Sequence, residues 1–329
     1  MLEIWQDFAF RVDSKPLIAI SATLVKDKNR EPTTNDDGLL SIKWRDFVRF
    51  HPICPMTGIG CENSDKNIKL LMKDGRLSLV DMKNNYDFTE DIIHFAQVQS
   101  DILASIGACG YVFNRGSPSC GLSGAPVYDA DTDAFIHHGN GLFAMVITTL
   151  NPHLPVIEYQ QLQNPKQAEH FLSRVHFFNE WQLFGKAGWT IERIEQFHEE
   201  NKYFFLSRAP QLNVILSRLI QNREATGTHP ENVALEYITK AQKTLEILSK
   251  KGRIVQTMEL IVNEFSHQMA TNEKQDIVRL INDFRLGKLP RSAPLSALEK
   301  CLQQYNLTNK TVTRFVRQVP LEMELMSKV

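Results

Sequence analysis

Five cysteines are spread over 329 residues, and two of them sit in turns suited to presenting a thiol. Cys54 is followed by Pro55, and Cys120 belongs to Ser117-Pro118-Ser119-Cys120-Gly121. Proline locks its own φ, and glycine admits conformations barred to other residues. A cysteine in such a turn has a fixed backbone and a sulfur free to point at something. Two such turns point to one shared sulfur-ligand site, because thiolates are soft donors suited to zinc, copper(I) and iron–sulfur clusters. The cysteine set (54, 61, 109, 120 and 301) is odd and sparse, which argues against a disulfide framework and for reduced thiols or metal ligation.

The elements that must position these turns follow from apolar runs. Leu17-Ile18-Ala19-Ile20-Ser21-Ala22 reads as a buried strand feeding a loop, and 47–53 as a second strand ending at Cys54. Between them, 38–47 has the spacing of a helix. Asp87-Phe88-Thr89-Glu90 has capping-box spacing and opens a helix carrying Ile92, Ile93, Ala96, Ile102, Leu103 and Ile106. Gly110–Phe113 is a third strand delivering the chain into Ser117–Gly121, and Gly139-Asn140-Gly141 precedes a helix over Leu142–Leu150. Alternating strands and helices predict an α/β, flavodoxin-like domain with a mostly parallel sheet over 1–160. The loops carrying Thr23, Cys54 and Cys120 all follow strands, so they gather at the carboxyl edge, where open α/β sheets bind ligands.

Asn151-Pro152-His153-Leu154-Pro155 and the Gln-rich stretch to Pro165 read as a domain junction. Beyond it, helical patterns dominate: 168–184, 190–206, 212–221, 230–249, 254–269, 273–286 and 296–305. The second domain, 161–329, is therefore all-α. It carries 23 Lys+Arg against 18 Asp+Glu, whereas 1–160 carries 14 against 20. That surplus permits a phosphate-bearing partner such as RNA without demanding one. No apolar run approaches the roughly 20 residues of a membrane span, and the start lacks the basic, apolar pattern of a secretory signal. The expectation is a cytoplasmic protein.

Taken in order, Ser21-Ala22-x-Leu24, Pro52-Ile53-Cys54-Pro55 with Gly58-Ile59-Gly60, and Ser117–Gly121 resemble the iron–sulfur thiouracil and tRNA 4-thiouridine desulfidase family. Phe197-His198…Lys202 and Arg285-x-Gly287 resemble the helical domain fused to the tRNA enzymes of that family. The resemblance implies three cysteines holding a 4Fe–4S cluster with one iron open to the substrate's sulfur. It assigns Cys54 and Cys120 as two ligands and Ser117 as a catalytic hydroxyl; Thr23 (weak ligand or substrate contact), Arg30, Ser119, and His198 with Lys202 one helical turn later as a phosphate-binding pair, are the candidate substrate contacts. It also marks the departures. Thr23 stands where the family has its first cysteine, Met56 where it has a carboxylate beside the cluster, and Asn114 where it has a lysine.

Cys61, seven residues past Cys54 in a Gly-rich loop, is the alternative third thiol. Cys109 precedes the strand ending near Asn114, which puts it about 15 Å from the active end at ~3.3 Å per residue. Cys301 reads as an apolar filler of the helical domain. Three functions stay open. One is a relative without the cluster that binds tRNA or a thiolated nucleotide, its desulfidase activity lost or weak, in a non-catalytic or regulatory role. The others are an active 4Fe–4S enzyme using Cys54, Cys120 and Cys61, and a protein-interaction module with an unidentified partner.

Overall fold

The computed structural model describes residues 15–24, 44, 47–61, 67–222, 229–307 and 310–316. Arg30 and most of the helix expected over 38–47 lie outside the described residues. Two compact units divide the chain, Met1–Phe171 and Leu172–Val329.

The first unit contains a four-stranded, wholly parallel sheet built from β1 (Leu17–Ser21), β2 (Arg49–Ile53), β6 (Ala108–Phe113) and β9 (Val156–Glu158). The spatial order is β2-β1-β6-β9, so the second, first, third and fourth strands of this sheet lie side by side. That is the flavodoxin-type order, with its switch point between β1 and β6. Register places Ser21 beside Ile53, Ile20 beside Val112 and Phe113 beside Glu158. Every residue of β6 is buried, as are Ile18, Ala19 and Ile20, which is why these strands read as unbroken apolar runs. Helices α2 (Thr89–Ser105) and α3 (Leu142–Leu150) bury Ile92, Ala96, Leu103, Phe143 and Ile147. Between β2 and the second sheet, α1 (Pro55–Gly58) is a single turn.

A second, mixed sheet of order β5-β4-β3-β7-β8 comes from two stretches that carry no apolar-run signal. In the first stretch, β3 (Ile68–Lys73) and β4 (Arg76–Asp81) form a hairpin. Its loop residues Asp74 and Gly75 both have positive φ, 49° and 76°, as a type I′ turn demands. The short β5 (Tyr86–Asp87) follows. In the second stretch, β7 (Ala125–Asp129) pairs with β3 in parallel and with β8 (Phe135–Gly139) in antiparallel. His137 and His138 are thus exposed strand residues.

The start of α2 also differs from a capping box. Phe88 is the N-cap with no side-chain bond. Asp87 Oδ1 instead accepts from the Thr89 amide at 2.9 Å, and Thr89 Oγ1 accepts from the Leu79 amide at 2.9 Å. The helix entry is thereby tied to the second sheet.

The second unit is helical. Its elements are α4 (Pro165–Gly185, which begins in the first unit), α5 (Ile191–Glu200), α6 (Lys202–Arg208), α7 (Pro210–Gln221), α8 (Pro230–Thr244), α9 (Lys251–Glu264), α10 (Thr271–Arg285), α11 (Ser292–Gln304) and α12 (Lys310–Val316). The single helix expected over 190–206 is broken at Asn201, whose φ of −103° and ψ of 8° leave the helical region. Its Nδ2 donates to the Phe197 carbonyl at 2.8 Å, closing α5 without glycine or proline. Stacked aromatics fill the core. Trp181 lies on Trp189 and Tyr237 at 4.0 and 5.0 Å, and Phe177 lies on Phe204 at 5.1 Å. Cys301 is buried among Leu298, Leu302 and their apolar neighbours.

Candidate functional site

The turn after β6 is held by backbone approach that only glycine permits. The Gly121 amide donates to the Ser117 carbonyl at 3.0 Å, and a β-carbon on Gly121 would lie 2.7 Å from that oxygen. A β-carbon on Gly141 would lie 2.5 Å from the Ser119 carbonyl and 2.6 Å from that of Ser117. The first amides of α3 are spent on the same turn: Leu142 donates to Pro118 and Phe143 to Ser119, each at 3.0 Å. The N-terminus of α3 therefore serves as the turn's scaffold.

Cys120 is buried in this turn. Its amide donates to Ser117 Oγ at 3.2 Å and its thiol to the same oxygen at 3.4 Å. Ser117 and Ser119 hydroxyls meet at 3.2 Å. Asn114 joins the ends of β1 and β6. Its amide donates to Ser21 Oγ at 3.3 Å, its Nδ2 donates to Thr23 Oγ1 at 3.1 Å, and it bridges to Gly121. Cys54, at the end of β2, is the N-cap of α1 with Pro55 as the first helical residue.

Burial pushes the Cys120 thiol above its usual range. Hydroxyls of Ser117, Ser21 and Ser119 pull it back, and the nearby Cys54 pushes it up again. Cys54, Cys120, Ser21, Ser117 and Ser119 thus gather after strand ends at the carboxyl edge of the parallel sheet, where open α/β sheets form their crevice. Cys109 is at the opposite edge, near Leu17 and Arg49, where burial raises it to about 12.

Other expected site residues have surroundings of their own. Cys61 lines an open cavity of about 760 Å³ with Asn67, Asp81, Tyr86 and Asp91, on the side of β4 and β5. Met56, in the position of the expected carboxylate, is buried apolar core. The reading of His198 as a phosphate contact needs correction. It is 3% exposed, and both ring nitrogens are engaged, Nδ1 with Tyr237 Oη at 3.1 Å and Nε2 with Ser217 Oγ at 2.9 Å. Lys202 opens α6, a separate helix, with its ammonium 5.7 Å from the Tyr203 ring centre.

The crevice has members that motif reading passed over. Ser21 faces Cys120 from β1, and Tyr111 lies in β6 within the field of both thiols. Glu158, buried at the end of β9, accepts from Ser123 Oγ and anchors the far end of the cysteine turn. The seryl signal lay in plain view beside Ala22. Tyr111 and Glu158 carry no spacing signal.

Residues 18–159 match the family model described as 2-thiouracil desulfurase. The N-terminal unit is thiouracil desulfidase-like. Residues 202–316 of the helical unit match a second model, described as a protein of unknown function (DUF1722). Among solved structures, a 4Fe-4S-dependent thiouracil desulfidase, TudS, is 19% identical, with 45% of this chain and 93% of that chain covered at a TM-score of 0.32. Among curated proteins, none matches the chain.

Whether the desulfidase-like unit can hold a cluster depends on its donor chemistry. Iron–sulfur clusters are held by thiolates, with imidazole as the documented substitute. The crevice offers two thiols, and the third strand end offers the Thr23 hydroxyl, which stays protonated at neutral pH and already accepts a bond from Asn114. Among the described residues, no three His, Cys, Asp or Glu side chains converge to hold a metal. This donor set does not fit a cluster anchored at three points. Among the described residues, no helix is long and apolar enough to cross a membrane.

Proposed function

We propose that this chain binds a thiolated uracil, as a nucleotide or within tRNA, in the crevice of its desulfidase-like unit and does not carry out cluster-dependent desulfuration. The observation that carries the reading is the Thr23–Asn114 contact, a neutral hydrogen bond where a third anchoring thiolate would be needed. Met56 adds to it, because a thioether moves no proton and forgoes the roughly 10²–10⁴-fold of acid–base assistance. Binding keeps its support. Ser117, Ser119 and Asn114 provide hydroxyl and amide groups for the polar edge of a uracil ring, and the two thiols are weak S–H donors for a thiocarbonyl sulfur. The cationic surplus of 161–329 permits a phosphate-bearing ligand. The reading goes with a cytoplasmic location, where thiols stay reduced.

Anaerobic reconstitution with iron and sulfide, followed by iron counting, a visible spectrum and incubation with thiolated tRNA, tests this. The expected product is colourless, nearly iron-free, binds thiolated tRNA at low salt, and leaves its near-ultraviolet thione absorbance intact. A cluster with loss of that absorbance would instead establish an active desulfidase. Failure to bind any tRNA or thiolated nucleotide, with a nuclease-resistant protein partner in a pull-down, would establish an interaction module.

A further inference from the structure

Tyr111 is wholly buried, and its ring is fixed on two sides. Strand alternation puts it on the same face of β6 as Phe113, on which it stacks at 3.7 Å and 8°. Phe143 of α3 meets its edge at 6.3 Å and 63°. Phenol hydroxyls buried in this way ordinarily find a hydrogen-bond partner. This one has none among the described residues. The groups around it are those of the crevice: Cys120, Cys54 and Ser21. Burial, then the two cysteines, hold the phenol well above its ordinary range, and Ser21 offsets part of this without reaching hydrogen-bond geometry. The hydroxyl is therefore a protonated donor at physiological pH.

We infer that Tyr111 is the hydrogen-bond donor on the floor of the crevice, its O–H kept for an acceptor atom of the bound heterocycle. This rests on the binding function proposed above and adds a specificity-determining residue to it. A rigid aromatic bed fixes the ring that carries the O–H, so a ligand that brings a carbonyl oxygen or thiocarbonyl sulfur within its reach satisfies it. A uracil ring carries such acceptors beside its ring N–H. A ligand with an apolar edge there would leave the hydroxyl unpaired, and sites built to hydrogen-bond a ligand reject analogues that lack the partner.

The probe is 4-thiouridine 5′-monophosphate, with uridine 5′-monophosphate in a second arm, titrated calorimetrically into the full chain. Tyr111→Phe removes one oxygen and keeps the stack. It should weaken thiouridine binding by about 2–13-fold, the range of one hydrogen bond, while the melting temperature of the free protein is unchanged or raised. Equal affinity in wild type and variant overturns the assignment while leaving the binding function standing. No binding of either nucleotide by wild type overturns both. Should Tyr111→Phe fail to fold, site-specific 3-fluorotyrosine at 111 keeps the ring and strengthens the donor. Its affinity should then rise about twofold, and an unchanged affinity again overturns the assignment.

Discussion

Asn114 Nδ2 donates to Thr23 Oγ1 at 3.1 Å, joining the turn after β1 to the end of β6. The two residues complement each other as a pair. A hydroxyl and an amide satisfy one another where a thiolate and a cation are found in the family the N-terminal unit resembles. Asn114 also donates its backbone amide to Ser21 Oγ, so the end of β1 and the turn after it both depend on it.

Thr23→Cys therefore supplies the missing donor class at the third strand end. Thr23 is exposed, so loss of its bond should cost at most about 1 kcal/mol. After anaerobic reconstitution the variant should hold up to about four irons per chain with visible thiolate-to-iron absorption, against almost none in wild type. Equal iron in both proteins would show that Thr23 is not what withholds the cluster.

Thiol reactivity offers a second measurement that needs no ligand. Ser117 stabilises the Cys120 thiolate, whereas burial and Cys54 oppose it. Ser117→Ala should raise the thiol further and slow alkylation of Cys120 by about 3–10-fold at pH 8, and Cys54→Ser should speed it. Peptide mass spectrometry should find Cys54 modified first, Cys120 next and Cys109, held at about 12, last. An alkylation rate at Cys120 that ignores both substitutions would contradict the crevice as described.

How much of this could be read from residues alone depended on burial. Leu17–Ser21 and Ala108–Phe113 are covered on both faces, so hydrophobicity alone located them, and the Pro- and Gly-rich turns located Cys54 and Cys120. The second sheet escaped. All but the last residue of β8 are exposed, and β3 and β4 are only half covered, which removes the apolar signal. Asp74-Gly75 was a hairpin cue nonetheless. The break at Asn201 escaped because a side-chain bond, rather than glycine or proline, ends α5. Thr23, Cys54, Cys120 and Ser117 were legible as motif positions. Tyr111 was not, since a tyrosine in a buried strand looks like any other core aromatic until its hydroxyl is found without a partner.

The cysteine turn depends on Gly141 as much as on its own residues. An alanine there would put its methyl 2.5 and 2.6 Å from two backbone carbonyls, and backbone has little room to yield. Gly141→Ala should destabilise the first unit by about 1–3 kcal/mol and expose Cys120 to alkylation at neutral pH. Near-native alkylation and an unchanged urea midpoint would mean the turn is looser than the structure has it.

Acid should act on the second unit through His198. Burial holds this imidazole at about 4, below its ordinary 6.5, with Tyr237 and Ser217 bonded to its two nitrogens. The unfolded chain accepts a proton that the folded one refuses. The stabilising contribution is complete above pH 6.5 and shrinks as the pH falls from 6.5 towards 4. By pH 5 the loss amounts to about 2 kcal/mol for this one group. His198→Gln removes the titration while keeping polar atoms for Tyr237 and Ser217. Urea unfolding followed by fluorescence of Trp181 and Trp189 should show wild type losing about 2 kcal/mol more than the variant between pH 7 and pH 5. Identical losses would mean that His198 is protonated in the folded protein and is reached by solvent, which would reopen it to the phosphate role that its burial now denies.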